Sequence, residues 1–165
     1  MKTLYIVRHA KSSWEFEDLS DHDRPLNKRG RNDAPLMGQE LALKEIKPAI
    51  IVSSPAVRAI STASLIAKEL EYDADDIRID ERVYGATKED LLEVVQETPA
   101  EANSLMLIGH NDAISEFTNL LSPEPLANLP TAGIAALYFD CESWYDIRRE
   151  NAQLLFVDFP KNHKE

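Results

Sequence analysis

Short apolar runs alternate with amphipathic stretches along this chain, the order in which strands and crossover helices succeed one another in α/β proteins. Residues 3–7 are apolar enough to form a buried strand. A polar loop, roughly 11–26, comes next, and Asn27 stands where a cap would open a helix running to about Lys44. Residues 49–52 form the second apolar run. Behind it, Ser54-Pro55 reads as an N-cap with proline at the first helical position, and Val57, Ile60, Ala63, Ala67 and Leu70 keep helical spacing. Ile77 and Ile79 suggest a short third strand. Thr87-Lys88-Glu89-Asp90 has the form of a capping box, ahead of a stripe of Leu91, Leu92, Val94 and Val95. Residues 104–108 predict a fourth strand closed by Gly109-His110. Ala113, Ile114, Phe117, Leu120 and Leu121 then face one side of another helix. The last third changes character, with residues 135–141 and 153–159 reading as a strand pair joined by a polar loop.

The pattern predicts an α/β fold with a mainly parallel central sheet. A single domain over residues 1–160 is expected, followed by a frayed tail over 161–165. At 165 residues and 44% hydrophobic content, the chain is long enough for one globular core. Eighteen Lys+Arg against 29 Asp+Glu give a net charge of -11, which excludes a general nucleic-acid footprint. That charge is uneven. Residues 1–31 hold seven bases and five acids (+2), whereas residues 69–101 hold three bases and twelve acids (-9). The single Cys excludes an internal disulfide. No apolar run approaches the roughly 18 residues of a membrane span, and Arg8-His9 interrupts the first strand too early for a signal peptide. A soluble, cytoplasmic protein without membrane or nucleic-acid partners is expected.

Ligands of open α/β sheets bind beyond the carboxyl ends of the strands. The first predicted strand runs into Arg8-His9, the second into Ser53-Ser54 with Arg58 one turn later, and the fourth into Gly109-His110. Each residue alone has an ordinary reading: a strand-end histidine is usually structural, and a helical arginine usually solvated. Together they put two imidazoles and two guanidiniums on one edge, provided the strands are neighbours. Guanidiniums match phosphate oxygens, and one imidazole can attack phosphorus while the other, as a cation, holds a transferring oxygen. The constellation suits phosphoryl transfer without a metal or other cofactor.

Leu4-Tyr5-Ile6-Val7-Arg8-His9-Ala10 resembles the strand and Arg-His signature of the histidine phosphatase superfamily. Ser53-Ser54-Pro55-Ala56-Val57-Arg58-Ala59, with Thr62 behind it, resembles the second motif, and Leu107-Ile108-Gly109-His110-Asn111 the segment bearing the second histidine. Lys11-Ser12-Ser13-Trp14, Arg24-Pro25-Leu26, Arg29-Gly30 and Leu129-Pro130-Thr131 resemble the small SixA-type phosphohistidine phosphatases. The resemblance implies a three-layer α/β/α sandwich of the phosphoglycerate mutase type. It also implies His9 as nucleophile, with Arg8, Arg58 and His110 cradling the phosphoryl group and Arg24 a further substrate-binding residue. Phosphate is the implied product, released by water from a phosphohistidine intermediate. Glu81, after the third strand, matches the place of the general acid in relatives acting on alkyl phosphates; Asp21 and Asp23 are weaker candidates. A neutral His9 beside a cationic His110 would need their pKa values pushed apart.

Ala10 replaces the glycine common after Arg-His. Residues 75–85 and 87–105 are too short for the covering segments of larger relatives, so no large lid is expected and an open site suits a phosphorylated protein. A small phosphate ester is the alternative substrate, and a non-catalytic phosphate-binding module the alternative of another class. A cysteine phosphatase is disfavoured, because the arginine position after Cys141 holds Ile147. Four histidines without a Gly-Asp-x-His motif disfavour a two-metal site.

Overall fold

A computed structural model describes residues 1–164. Six strands form one sheet: β1 (Lys2–Arg8), β2 (Ile50–Ser53), β3 (Arg78–Ile79), β4 (Ser104–Gly109), β5 (Ile134–Phe139) and β6 (Ala152–Asp158). Their spatial order is β3-β2-β4-β1-β5-β6. The first four are mutually parallel; β5 and β6 add an antiparallel pair beside β1. Four helices connect them: α1 (Lys28–Leu43), α2 (Val57–Glu69), α3 (Lys88–Gln96) and α4 (Ala113–Leu121).

The alternation along the central strands produces the three layers. Leu4, Ile6, Leu105 and Leu107 point to the face covered by α3 and α4, where Leu91, Val95, Phe117 and the fully buried Trp144 complete the packing. Tyr5, Val7, Met106 and Ile108 point to the other face, against Met37 and Leu41 of α1 and Ala63, Ile66 and Ala67 of α2. Burial on both faces is why these strands read as continuous apolar runs. The expected α/β/α sandwich with a mainly parallel sheet is observed.

Local signals act largely as read. The Asn27 side chain accepts from the Gly30 N–H at 2.9 Å, and Thr87 and Asp90 form a reciprocal capping box. Two expectations are corrected. Helix α2 starts at Val57 with Ala56 as its cap residue, so Pro55 lies outside the helix rather than in its first turn. The frayed tail is also not found for residues 161–164: Pro160–His163 form a 3-10 turn, His163 bonds Asp158 at 2.7 Å, and Lys164 reaches the buried Asp33 at 2.5 Å. These partners lie in β6 and α1, too far away in sequence for a local pattern to reveal. Glu165 lies outside the described residues. The last strands begin one residue earlier than expected, and β5 ends at Phe139, leaving Cys141 half-buried beyond it.

Helix α1 anchors the loop between β1 and itself at close range. A Cβ built on Gly30 would sit 2.1 Å from the Lys11 carbonyl oxygen, which itself accepts from the Asn27 N–H at 3.0 Å. Glycine is therefore required for the approach. Gly30→Ala is expected to destabilise the fold by about 2 kcal/mol or more through overpacking against backbone. Urea unfolding midpoints measure it; an unchanged midpoint would show that the loop can retreat without cost.

Candidate active site

Because β4 lies between β1 and β2, the three parallel strand ends that carry Arg8-His9, Ser53-Ser54 and Gly109-His110 emerge side by side. The turns are tied together by backbone bonds. The His9 N–H donates to the Gly109 carbonyl at 3.0 Å, the Ser54 N–H to the Ile108 carbonyl at 3.1 Å, and the Ala132 N–H to the carbonyls of Arg8 and His9 at 3.1 Å. The Ala10 N–H donates to Thr62 Oγ1 at 2.9 Å, and that hydroxyl donates to the Arg58 carbonyl at 2.7 Å. The end of β1 is thus fastened to the first turn of α2, and Ala10 is accommodated fully buried.

His9 is 8% exposed, and its ring lies 5.1 Å from that of His110, centroid to centroid. His9 Nδ1 is 2.7 Å from the Ala10 carbonyl, an acceptor only, so Nδ1 carries the proton and Nε2 the lone pair. His110 Nε2 meets the Ser54 hydroxyl at 2.7 Å, while the Tyr84 ring packs edge-on against its imidazole at 5.6 Å. Arg8 Nη1 donates to the Leu129 carbonyl at 2.9 Å. Arg58 donates to the Asp21 carbonyl at 2.6 Å through Nη1 and to its carboxylate at 3.0 Å through Nη2. Arg24, also buried, donates to Ser12 Oγ at 2.7 Å and pairs with the other Asp21 oxygen at 3.2 Å.

One carboxylate therefore orders two guanidiniums. Tyr84 also donates to Asp21, at 2.7 Å, and with Arg58 and Arg24 holds its carboxyl down at about 2. Three buried side-chain nitrogens here have no hydrogen-bond partner among the described residues: Arg8 Nε, Arg58 Nε and His110 Nδ1. Such a cluster of orphaned nitrogens is what a site built to receive an anion presents before the anion arrives. Among the described residues, no group of three or more His, Cys, Asp or Glu side chains is placed to hold a metal ion.

The structure brings Arg8, His9, Arg24, Arg58 and His110 together. Glu81 stays outside the bonded cluster, exposed at the start of a 3-10 turn (Glu81–Val83), with no side-chain hydrogen bond to a site residue among those described. Asp21 does reach the site, but as a permanently ionised clamp, and Asp23 pairs with His22 at 3.4 Å. Burial pushes the Cys141 thiol up, away from a nucleophilic thiolate. Sequence reasoning missed three contributors. Ser54 serves His110 rather than capping α2, Tyr84 buttresses both His110 and Asp21, and the Leu129 carbonyl aims Arg8. The motifs Ser53-Ser54-Pro55 and Leu129-Pro130-Thr131 contained two of them without showing their contacts, and Tyr84 carried no signal.

The expected separation of the two histidine pKa values is also corrected. Burial, reinforced by the charges of Arg58, Arg8 and Arg24, lowers His9 to about 4. Burial, then His9 and Arg58, lowers His110 to about 3. Both rings are neutral at pH 7, because a proton on either would be buried away from water and would join an already cationic cluster.

A scan against family models matches residues 4–116 to the histidine phosphatase superfamily (branch 1). A chloroplast protein of Arabidopsis thaliana, itself uncharacterised, is 31% identical over 87% of this chain and 69% of its own length. Phosphoserine phosphatase 1 of Hydrogenobacter thermophilus is 39% identical over a shorter stretch, 59% of this chain and 46% of that protein. Among solved structures, the Agrobacterium tumefaciens protein assigned as phosphohistidine phosphatase SixA superposes with a TM-score of 0.83 at 26% identity, covering 96% of this chain and 98% of that one.

The lowered imidazoles give a signed pH dependence. The folded protein binds fewer protons than the unfolded chain between about pH 3 and 6.5, so stability is full above 6.5 and declines as pH falls towards 4 and then 3. Phosphate in the cradle supplies the missing negative charge, so NMR titration should show His110 moving upward when phosphate or vanadate is added. A ring titrating near 6.5 without ligand would contradict the arrangement.

Proposed function

Since the chain belongs to branch 1 of the histidine phosphatase superfamily, we propose that it is a phosphohistidine protein phosphatase of the SixA type, working through His9. The observation that carries the reading is the pairing of a nucleophile with a tuned receptor. His9 Nε2 is left with its lone pair by the Nδ1–Ala10 bond, facing a cluster of cationic and orphaned donors.

In the first step the Nε2 lone pair attacks phosphorus. The substrate's P–N bond breaks, its electron pair goes to the departing imidazole nitrogen, and a phosphohistidine forms on His9. Arg8, Arg58 and His110 meet the three peripheral oxygens, where charge concentrates in phosphoryl transfer. His110, neutral in the free protein, gains its proton as the phosphoryl dianion arrives, through the Nδ1 that has no protein partner. In the second step water attacks phosphorus, the P–Nε2 bond breaks, and inorganic phosphate leaves with His9 neutral again. Positive charge is supplied by guanidiniums, so no metal is invoked.

The substrate class is argued from the acids. Asp21 is held ionised and cannot donate a proton, and Glu81 lies outside the bonded cluster. An alkoxide leaving group needs a proton donor. An imidazole protonated at its other nitrogen leaves as a neutral molecule and does not. This favours a phosphoramidate over an alkyl phosphate ester, in keeping with the likeness to the Agrobacterium protein. Glu81, exposed and not held in place by the cluster, is the carboxyl left to assist an ester, so ester hydrolysis is the slower activity and the one that depends on it.

Quenching the enzyme during turnover in alkaline denaturant, where the P–N bond persists, should trap one phosphoryl group on His9, located by peptide mapping at high pH. His9→Ala should lose turnover by at least about 10³-fold, the range for removing an essential group, while still binding phosphate. Phosphate mapped to another residue, or turnover surviving in His9→Ala, would overturn the mechanism. Glu81→Gln should slow phosphoserine hydrolysis by roughly 10–100-fold, on the scale of general acid catalysis, and leave phosphohistidine hydrolysis within about twofold. Equal loss on both substrates would remove the leaving-group distinction.

A further inference from the structure

The loop from Ser12 to Asp21 is pinned at both ends by the catalytic cations. At one end the Ser12 hydroxyl and the Ser13 carbonyl accept from Arg24 at 2.7 and 3.2 Å, and the Ser13 N–H donates to the Pro25 carbonyl at 2.8 Å. At the other, Asp21 clamps Arg58. The residues between are exposed, and they include three large apolar side chains. Trp14 is 73% exposed, Phe16 46% and Leu19 39%, three of the eight exposed large hydrophobics in the described chain within six positions. Trp14 lies over the Arg24 guanidinium, 3.5 Å from ring centroid to Cζ, so its indole stands at the edge of the phosphate site itself.

Single exposed apolar residues are ordinary, but three on a loop fastened beside a catalytic pocket are not explained by packing. Between and beside them stand Glu15, Glu17 and Asp18, all exposed. The surface thus has a cationic centre and a rim that is both apolar and acidic. A bare small phosphate ester has nothing to place on such a rim. An anionic membrane would be repelled by its three carboxylates.

We propose that the Trp14–Phe16–Leu19 loop is the docking surface for the protein that carries the phosphohistidine. The partner is a segment whose phosphorylated imidazole is flanked by apolar side chains and by Lys or Arg. The phosphoryl group enters the arginine cradle, the apolar flanks cover Trp14, Phe16 and Leu19, and the basic residues meet Glu15, Glu17 and Asp18. Each charge meets its opposite across the two surfaces, which orients the partner and disfavours acidic phosphoproteins. Aromatic residues are also the side chains most often found to dominate interface energetics. The inference rests on the phosphohistidine reading and extends it from the phosphoryl group to the protein around it.

The test compares three compounds with the same leaving group: free phosphohistidine, a phosphohistidine peptide with Leu and Lys flanks, and one with Gly and Asp flanks. Wild-type kcat/KM should be at least tenfold higher on the Leu/Lys peptide than on the other two. The double variant Phe16→Ser/Leu19→Ser, at two exposed side chains with no place in the proposed chemistry, should lose most of that advantage while keeping free phosphohistidine turnover within about twofold. Trp144 is fully buried, so acrylamide quenching of the remaining tryptophan, Trp14, reports on the rim directly. The Leu/Lys peptide bound to His9→Ala should reduce that quenching at least twofold. Equal rates on all three compounds, or an unaltered peptide preference in the double variant, would overturn the docking surface while leaving the phosphohistidine reading intact. No turnover of any phosphohistidine compound overturns that reading and the docking with it.

Discussion

Positive charge gathered in a half-buried space is the constraint around which this protein is arranged. Arg8, Arg24 and Arg58 converge at the carboxyl edge of the sheet, and guanidiniums do not lose their protons to relieve repulsion. Asp21 is the one carboxylate bonded to two of them, through its side chain to both and through its main-chain carbonyl to Arg58. The imidazoles supply the remaining relief by staying neutral. In the proposed mechanism that neutrality is also what His9 needs, since only the uncharged ring has a lone pair to offer.

The same electrostatics account for His110. Before an anion is present a proton on it is opposed by burial, by the neighbouring ring and by Arg58. Under the proposed function a phosphoryl dianion reverses the balance, so that substrate and proton enter as a linked pair. The site is thereby at rest in a form that is neither fully charged nor fully satisfied, with three orphaned nitrogens awaiting one ligand. Native proteins tolerate such groups where function requires them, and the rest of the fold provides the stability. Here two apolar layers, on opposite faces of β1 and β4, hold the strand ends rigidly enough to keep the nitrogens aligned.

Charge distribution works at longer range as well. The net charge of -11 gave no hint of a phosphate site, yet the excess of acid is concentrated in residues 69–101 while the first 31 residues are net basic. Much of that acid is engaged on the surface: Arg82 alone meets Asp80, Glu93 and Glu97. The acids of the first loop are different, since Glu15, Glu17 and Asp18 are exposed and make no ion pair among the described residues. In the proposed docking, a centre of one sign ringed by the other selects among phosphorylated surfaces and does not bind phosphate more tightly.

The layers, the parallel sheet and the identity of Arg8, His9, Arg58 and His110 were determined by the chain itself. Each is encoded locally, as a strand long enough to be buried, a cap, or a polar residue at a strand end, and local signals can be read in one dimension. What the sequence left open was adjacency. Only the tertiary structure decided that β4 lies between β1 and β2, which turns three separate strand ends into one site. Only it moved Ser54 from an expected cap to the partner of His110, brought Tyr84 and Asp21 onto the same cluster, and left Glu81 at the surface. The tail was tied down by Asp33, Glu40 and Asp158 for the same reason. Protonation states belong to this second group, because burial and the distance between charges are properties of the assembled fold, and no order of residues along a chain specifies them.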